Sequence, residues 1–207
     1  MTGGLRERWR QETRRAISAV AMELFVAGGF DNVTISQVAA AAGVSKMTVT
    51  NHFPRKEDLV FDRAEESVRS LADAVSARDA GESLLAAVRR DYARRIAAGD
   101  VVLGPPTAAF ARLVRDSPTL TARLRQLADQ VERALGDAIA AETGVDDPQQ
   151  RIVAAQLAAV HRVLFADSAE RILAGQPADR IRRTLAESAD RAFDLLEPSL
   201  GGYRVKA

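Results

Sequence analysis

The 207-residue chain has no cysteine. That removes a disulfide framework and any thiolate metal site. Histidine is almost missing too. His52 and His161 are the two present, too few and too far apart to make a metal centre or to anchor a Ser/His/Asp set. No glycine-rich phosphate loop can be proposed, because Gly28-Gly29 has no strand before it. Aromatic residues make up only 5% of the chain against 47% hydrophobic residues in all, which favours helices packed on helices over sheets. No apolar run nears the roughly 20 residues of a membrane span. The N-terminus carries no hydrophobic region of signal-peptide type. The expectation is a cytoplasmic protein with no catalytic residue, no metal and no cofactor.

A large excess of one charge is missing as well. The formal net charge is +1, which by itself points neither to nor away from nucleic acid. Its distribution says more. Up to residue 56 there are eight cations (Arg6, Arg8, Arg10, Arg14, Arg15, Lys46, Arg55, Lys56) and four anions (Glu7, Glu12, Glu23, Asp31). A basic end on a nearly neutral protein suits phosphate contact there.

What is present is helical periodicity. Ile17, Val20, Ala21, Leu24 and Phe25 form one stripe of a first helix over about residues 8–27, closed by Gly28-Gly29. Pro54 suits the start of a long linking helix with Leu59, Val60, Ala64, Val68, Leu71 and Val75. A fifth helix carries Leu84, Leu85, Val88, Tyr92 and Ile96, and residues 99–106 form a turn-rich interruption. Phe110, Leu113 and Val114 mark a short helix. Ser117-Pro118 and Asp147-Pro148 each supply an N-cap followed by an N1 proline for two long helices. A last helix holds Ile181, Leu185, Ala189, Ala192 and Leu196, and Gly201-Gly202 with a basic end reads as a frayed tail. The fold class is all-α, with about nine helices.

Residues 34–57 carry the most specific signal. Thr34 with Gln37 three positions on has capping-box spacing. Ile35, Val38, Ala39 and Ala42 share a helical face. Gly43 permits a sharp exit and Val44 plugs the corner. Ser45 caps a second helix whose inward positions are Val49 and Phe53. Lys46, Met47, Thr48, Thr50 and Asn51 are left outward, and groups of this kind reach base edges in a major groove without blocking entry. This is a helix-turn-helix pattern.

The stretch resembles the DNA-binding region of the TetR family of transcription regulators. The shared positions are Thr34, Ile35, Val38, Ala39, Ala42, Gly43, Val44, Ser45, Thr48, Val49, His52, Phe53, Lys56 and Glu57, and residues 24–30 are similar to the end of the family's first helix. Position 50, usually Tyr in the family and often set on a DNA phosphate, is Thr here. The resemblance implies a DNA-binding domain over residues 1–55 and a helical effector-binding and dimerisation domain over residues 56–207. It implies a homodimeric repressor on a palindromic operator of double-stranded DNA, released by a small molecule.

The candidate DNA-contacting residues are Thr34, Ser36, Ser45, Lys46, Met47, Thr48, Thr50, Asn51, His52 and Lys56. His52 has a packing or phosphate role, and His161 is expected to be a hydrogen-bonded core or interface histidine. Tyr92, Phe110, Leu127 and Val131 are candidates to line an effector cavity, with ordinary core packing as the alternative. Val153, Leu157, Val160 and Leu164 with Ile181, Leu185, Ala189 and Leu196 are the expected dimer seam. A helical enzyme and a protein-binding scaffold are the rival classes. The first lacks an acid–base set, and the second does not account for the outward face of residues 46–51.

Overall fold

The computed structural model describes residues 3–100, 103–144 and 147–206. Among them are nine α-helices and no strand: α1 (Gly3–Gly28), α2 (Ile35–Ala41), α3 (Lys46–His52), α4 (Ala64–Ser76), α5 (Leu84–Ala98), α6 (Ala108–Asp116), α7 (Pro118–Thr143), α8 (Pro148–Leu173) and α9 (Ala178–Leu200). The chain falls into two compact units. One is Met1–Ala64 with Arg112–Arg123, and the other is Glu65–Ala111 with Leu124–Ala207.

In the first unit α1 packs on α2, α2 on α3, and α1 also on a 3₁₀ turn at Lys56–Leu59. Ile17, Ala21 and Phe25 from α1, Phe30 and Val33 from the following loop, Val38, Val49, Phe53 and Leu59 are among its buried apolar residues. Gly29 takes φ 81° and returns its N–H to the Phe25 carbonyl at 2.9 Å, so α1 ends where the glycine pair allows a left-handed residue.

The long linking helix read from the sequence is not formed. The 3₁₀ turn at Lys56–Leu59 comes first, and α4 begins only at Ala64. Leu59, Val60 and Phe61 are all buried. At 100° per residue these three would span about 200° of an α-helix, more than one inner face, and the interrupted backbone turns all three inward. Pro54 lies before the turn rather than opening a helix; Arg55 is the flanking residue, and its N–H donates to Asp58 Oδ2 at 3.1 Å.

In the second unit α5 and α8 both pack on α9. The core includes Leu71, Leu85, Val88, Tyr92, Leu135, Ile139, Leu157 and Phe193. The two Pro-opened helices start where the sequence places them. Ser117 Oγ accepts from the Leu120 N–H, and Asp147 Oδ1 from the Gln150 N–H at 3.1 Å. Phe193, absent from the sequence stripe, is buried in α9, whereas Ala192 beside it is only partly so. Of the interruption at residues 99–106, positions 101–102 lie outside the described residues. Beyond them Leu103 is buried and Gly104 lies so close to Ser168 that a Cβ there would collide with its hydroxyl.

Two further expectations are corrected. The C-terminal tail is not frayed: the Gly81 N–H donates to the Lys206 carbonyl at 2.8 Å and the Lys206 N–H to the Glu82 carbonyl at 3.1 Å. The seam assigned to dimerisation is also spoken for. Val153, Leu157 and Leu164 on α8 and Ile181, Leu185 and Ala189 on α9 are buried within the protomer itself. The outward apolar residues of these helices are Ile152 (59% exposed), Val163 (56%) and Leu195 (81%). With apolar residues on both sides, α8 is by length and composition able to cross a membrane, although the sequence reading found no such run. Its length and Ala content raise the average, and one side of it is closed by the core.

Candidate nucleic-acid interface

The interface is built from two short helices fixed by their caps. Thr34 and Gln37 form the reciprocal capping box: the Thr34 N–H donates to Gln37 Oε1 at 2.8 Å, and the Gln37 N–H to Thr34 Oγ1 at 3.3 Å. Gly43 sits at φ 67° with open space around the position a Cβ would take. The constraint there is backbone conformation and not crowding. Val44, at the corner, returns its N–H to the Ala39 carbonyl at 3.0 Å and is half-buried.

Ser45 caps α3, its Oγ accepting from the Thr48 N–H at 3.0 Å. Val49 and Phe53 are fully buried. Those two residues set the inner side of the seven-residue helix. Lys46, Met47, Thr50 and Asn51 are exposed, Met47 by 69%, and Thr48 is half-exposed. Thr34, Ser36 and Ser45 are exposed as well. Ser45 and Thr48 also share a hydroxyl–hydroxyl bond of 2.8 Å, so the Thr48 hydroxyl is held in place at the helix start. Thr50 donates back to its own helix, to the Met47 carbonyl at 3.1 Å and the Lys46 carbonyl at 3.3 Å. Its hydroxyl hydrogen therefore points along the backbone and not away from it.

His52 and Lys56 stand differently from the other candidates. His52 is half-buried with its ring 6.5 Å from that of Phe53. Partial burial, and then the positive charges of Arg10 and Arg14, push its pKa below the ordinary histidine value. It is neutral at neutral pH and offers no charge to a phosphate. Lys56 lies 4.3 Å over the Phe30 ring and donates to the Phe30 carbonyl at 2.5 Å. Desolvation there lowers its pKa. Its ammonium is thus engaged in closing the loop after α1, a use that sequence spacing does not reveal.

Arg14, counted in sequence with a basic arm, is turned onto protein. One guanidinium nitrogen donates to the His52 carbonyl at the end of α3 and the other to the Asp62 carbonyl at 3.3 Å, while the group lies 4.2 Å over the Phe53 ring. Two carboxylates missed in sequence also work inside this unit. Asp58 is paired to Arg123 at 3.0 Å, and Asp31 accepts from the Ser117 hydroxyl at 3.3 Å. The partners are 65 and 86 residues away, beyond anything a helical period encodes.

The four effector-lining candidates do not form one set. Tyr92 and Val131 belong to one apolar core. Leu127 is buried outside that cluster, and Phe110 is only partly buried. Tyr92 is hydrogen-bonded to His161, also buried, and its ring lies edge-on 5.4 Å from Phe193. No group of three or more His, Asp or Glu side chains able to hold a metal occurs among the described residues.

Two capped helices joined at a glycine, with a polar exposed face on the second, define a helix-turn-helix protein. Residues 17–62 match the model of the bacterial regulatory proteins of the tetR family. Over 205 residues the chain is 33% identical to the HTH-type transcriptional regulator TcmR of Streptomyces glaucescens, a match covering 95% of this chain and 88% of that protein. The chain belongs to the TetR family, and it is a DNA-binding transcription regulator and not an enzyme. Among solved structures, one from Syntrophomonas wolfei assigned to the same family superposes with a TM-score of 0.57 at 16% identity, over 89% of this chain and 96% of that one. NalD, the secondary repressor of the MexAB-OprM multidrug efflux pump of Pseudomonas aeruginosa, superposes with a TM-score of 0.51 at 19% identity, over 88% and 95%. At these identities the likeness is one of fold.

Proposed function

We propose that the protein is a cytoplasmic, ligand-responsive repressor that binds a dyad-symmetric operator as a homodimer, with α3 as the element that enters the major groove. The observation that carries this reading is the division of α3. Val49 and Phe53 are wholly inside, and Lys46, Met47, Thr48, Thr50 and Asn51 are outside. Lys46 supplies a cation for a phosphate or guanine, Asn51 a bidentate group suited to adenine, and Met47 an apolar end suited to a thymine methyl. Thr34, Ser36 and Ser45 are placed for phosphate at the two helix starts. His52 and Lys56 are kept in the interface as neighbours of that surface, His52 uncharged and Lys56 through the N–H groups not given to Phe30.

The homodimer rests on α8 and α9. α8 carries large apolar residues outside its buried stripe, among exposed charged and polar ones, and such residues are stabilised by cover. The inner side of α8 is closed by the core, leaving Ile152 and Val163, with Leu195 of α9, for a second copy of the chain. Two-fold pairing of such helix pairs makes a four-helix bundle and sets two α3 helices on half-sites about one turn of DNA apart, roughly 34 Å. The effector is small and largely apolar, and it enters the helical part of the chain beyond residue 55. Of the lining candidates, Tyr92 and Val131 share one core and mark the region proposed for it, whereas Phe110 and Leu127 lie outside that cluster.

The test is selection of duplexes from a random pool by the full-length protein, followed by sequencing. Enrichment of a dyad-symmetric site, lost in a Lys46→Ala/Thr48→Ala variant of unchanged helicity, is the expected result. A pool that remains random, or an equally enriched site with the double variant, refutes the assignment of α3.

A further inference from the structure

We infer that Arg14 is a positioning residue for DNA reading: from α1 it clamps the C-terminal end of α3 and fixes the direction in which the outward side chains of α3 point. This rests on α3 being the reading element. The need for a clamp follows from length. Seven residues are too few to hold a helix in water, so α3 keeps its orientation only through its attachments. At the start the Val44 N–H is held by the Ala39 carbonyl of α2 at 3.0 Å, and in the middle there is buried Val49. At the far end the last carbonyls of a helix have no intrahelical partner and carry the negative end of its dipole. The Arg14 guanidinium meets that end, donating to the His52 carbonyl. Its flat face covers the buried Phe53 ring at 4.2 Å, and its other nitrogen reaches the Asp62 carbonyl at 3.3 Å.

Only a planar, forked cation can do all three together. One group thus ties the end of α3 and the chain beyond the 3₁₀ turn to the middle of α1. Ser18, one helical turn further along the same side of α1, does the same for the 3₁₀ turn itself, donating to the Leu59 carbonyl at 3.1 Å. Without the clamp the far end of α3, with Thr50 and Asn51, can shift while the Val44–Ala39 bond holds its start, enough to misdirect base contacts while leaving the basic surface where it was. Arg14 therefore serves specific binding without touching DNA. A phosphate-contacting arginine would serve all sequences alike.

The experiment uses the full chain with Arg14→Met, which keeps the stem and removes every N–H, and Arg14→Lys, whose single head can serve the ring or one carbonyl but not all three. The probes are the duplex enriched by the wild-type protein and a scrambled duplex of equal length and composition. Arg14→Met is expected to lose roughly tenfold or more on the enriched duplex, the scale of a charge-assisted hydrogen bond. It should stay near wild type on the scrambled one, with an unchanged salt slope, and Arg14→Lys should fall between. Hydrogen exchange of the free protein should quicken over residues 46–53 of Arg14→Met and stay protected over Leu84–Ala98. Equal losses on both duplexes with a salt slope lower by about one would make Arg14 a phosphate ligand and overturn the inference. Unchanged affinities with a lower melting temperature would reduce it to general stability and overturn it too. Should Arg14→Met not fold, a wild-type ratio of specific to non-specific binding in Arg14→Lys overturns it. If the wild-type protein enriches no duplex, it is the role of α3 that fails, and unaltered exchange over residues 46–53 then decides against the clamp independently.

Discussion

The Tyr92 hydroxyl and His161 Nδ1 are 2.6 Å apart in the middle of an apolar core. Burial pushes the Tyr92 pKa up, so its hydroxyl keeps its proton. Burial, and then the positive charge of Arg95, pushes His161 down to about 4, so its ring is neutral. The bond therefore joins two neutral groups, a phenol that keeps its proton and an imidazole with one proton. In the tautomer with the ring proton on Nε2, Tyr92 donates and Nδ1 accepts. Two polar groups that would each be costly to bury alone satisfy one another.

Tyr92→Phe should therefore destabilise the protein by about 1 to 3 kcal/mol, because it leaves a buried acceptor unpaired with almost no change in volume. Replacing both residues by apolar ones, Tyr92→Phe with His161→Leu, should cost less than the sum of the single changes. Urea unfolding of the four proteins gives the coupling, and strictly additive losses would mean that the bond contributes nothing.

The same histidine gives the protein a pH dependence whose sign is fixed. In the unfolded chain His161 takes up a proton near its ordinary value of 6.5, and in the folded one only near 4. Between those values the unfolded state binds more protons, so stability falls as pH drops through that window and is constant above it. At 1.36 kcal/mol per unit the full loss is on the order of 3 kcal/mol. His52 is shifted in the same direction. The measurement is the wild-type stability minus that of His161→Gln between pH 7 and 4.5. A flat difference would contradict the burial of a neutral ring.

How much of this was readable in advance depends on the range of the interaction. The Thr34 box, the Ser45 cap and the glycine exits at 29 and 43 are local, involving residues three or four apart, and the sequence displays them directly. Periodicity also picked out the inner stripe of α8. It could not say what covers that stripe, so Val153, Leu157 and Leu164 read equally well as a dimer seam until α9 was seen to close over them. The break before α4 was hidden because Leu59, Val60 and Ala64 fit a helical spacing once Phe61 is overlooked. Arg14 is the extreme case. Its position one turn ahead of Ser18 and beside Ile17 puts it on the inner side of α1, but nothing in the sequence shows that the carbonyl facing it belongs to residue 52.

For the DNA-facing surface, Lys46→Ala should weaken binding to the selected duplex by about 1 to 3 kcal/mol if it meets a guanine, with altered preference at one base pair of each half-site. If it meets a phosphate instead, the loss is the same for all sequences and the salt slope drops by about one. Titrations at several salt concentrations on selected and scrambled duplexes separate these. No loss on either would remove Lys46 from the interface.

The dimer face makes a prediction opposite to that of the core beside it. Val163→Glu and Leu195→Glu place charges at positions 56% and 81% exposed in the protomer, so they should leave folding intact while converting dimer to monomer. Leu157→Ala, on the buried side of the same α8, should instead cost about 2 to 5 kcal/mol of stability by opening a cavity. Sedimentation at micromolar concentration, with circular dichroism as the check on folding, distinguishes the two. A Val163→Glu/Leu195→Glu protein that stays dimeric would move the interface off α8 and α9.

The C-terminal tail is the part of the chain whose role differs most from its sequence appearance. Arg78, at the end of α4, is 4% exposed, and its charge is met by Glu142 on α7 through two bonds of 2.5 and 2.6 Å. The tail closes over this pair: the Arg204 carbonyl accepts from Arg78 at 3.3 Å, and the Lys206 ammonium donates to the Arg78 carbonyl at 2.7 Å. Burying an ion pair costs desolvation, which is recovered only when the remaining polar atoms find partners. Arg78 is the buried partner, and Glu142 keeps 31% of its side chain in water, so Arg78→Ala leaves a solvated carboxylate and should cost about 2 to 3 kcal/mol, the scale of lost hydrogen bonds to a charged group. Removing residues 203–207 keeps both charges and readmits water to them. It should cost only about 1 to 2 kcal/mol, the scale of a net hydrogen bond or two, and should speed exchange of the Gly81 amide, which loses the Lys206 carbonyl. Thermal unfolding together with exchange at Gly81 measures both effects. A truncated protein with a wild-type melting temperature and a still-protected Gly81 amide would show that the tail does not hold the α4–α5 turn, and would return it to the frayed end that its glycines and basic residues suggest.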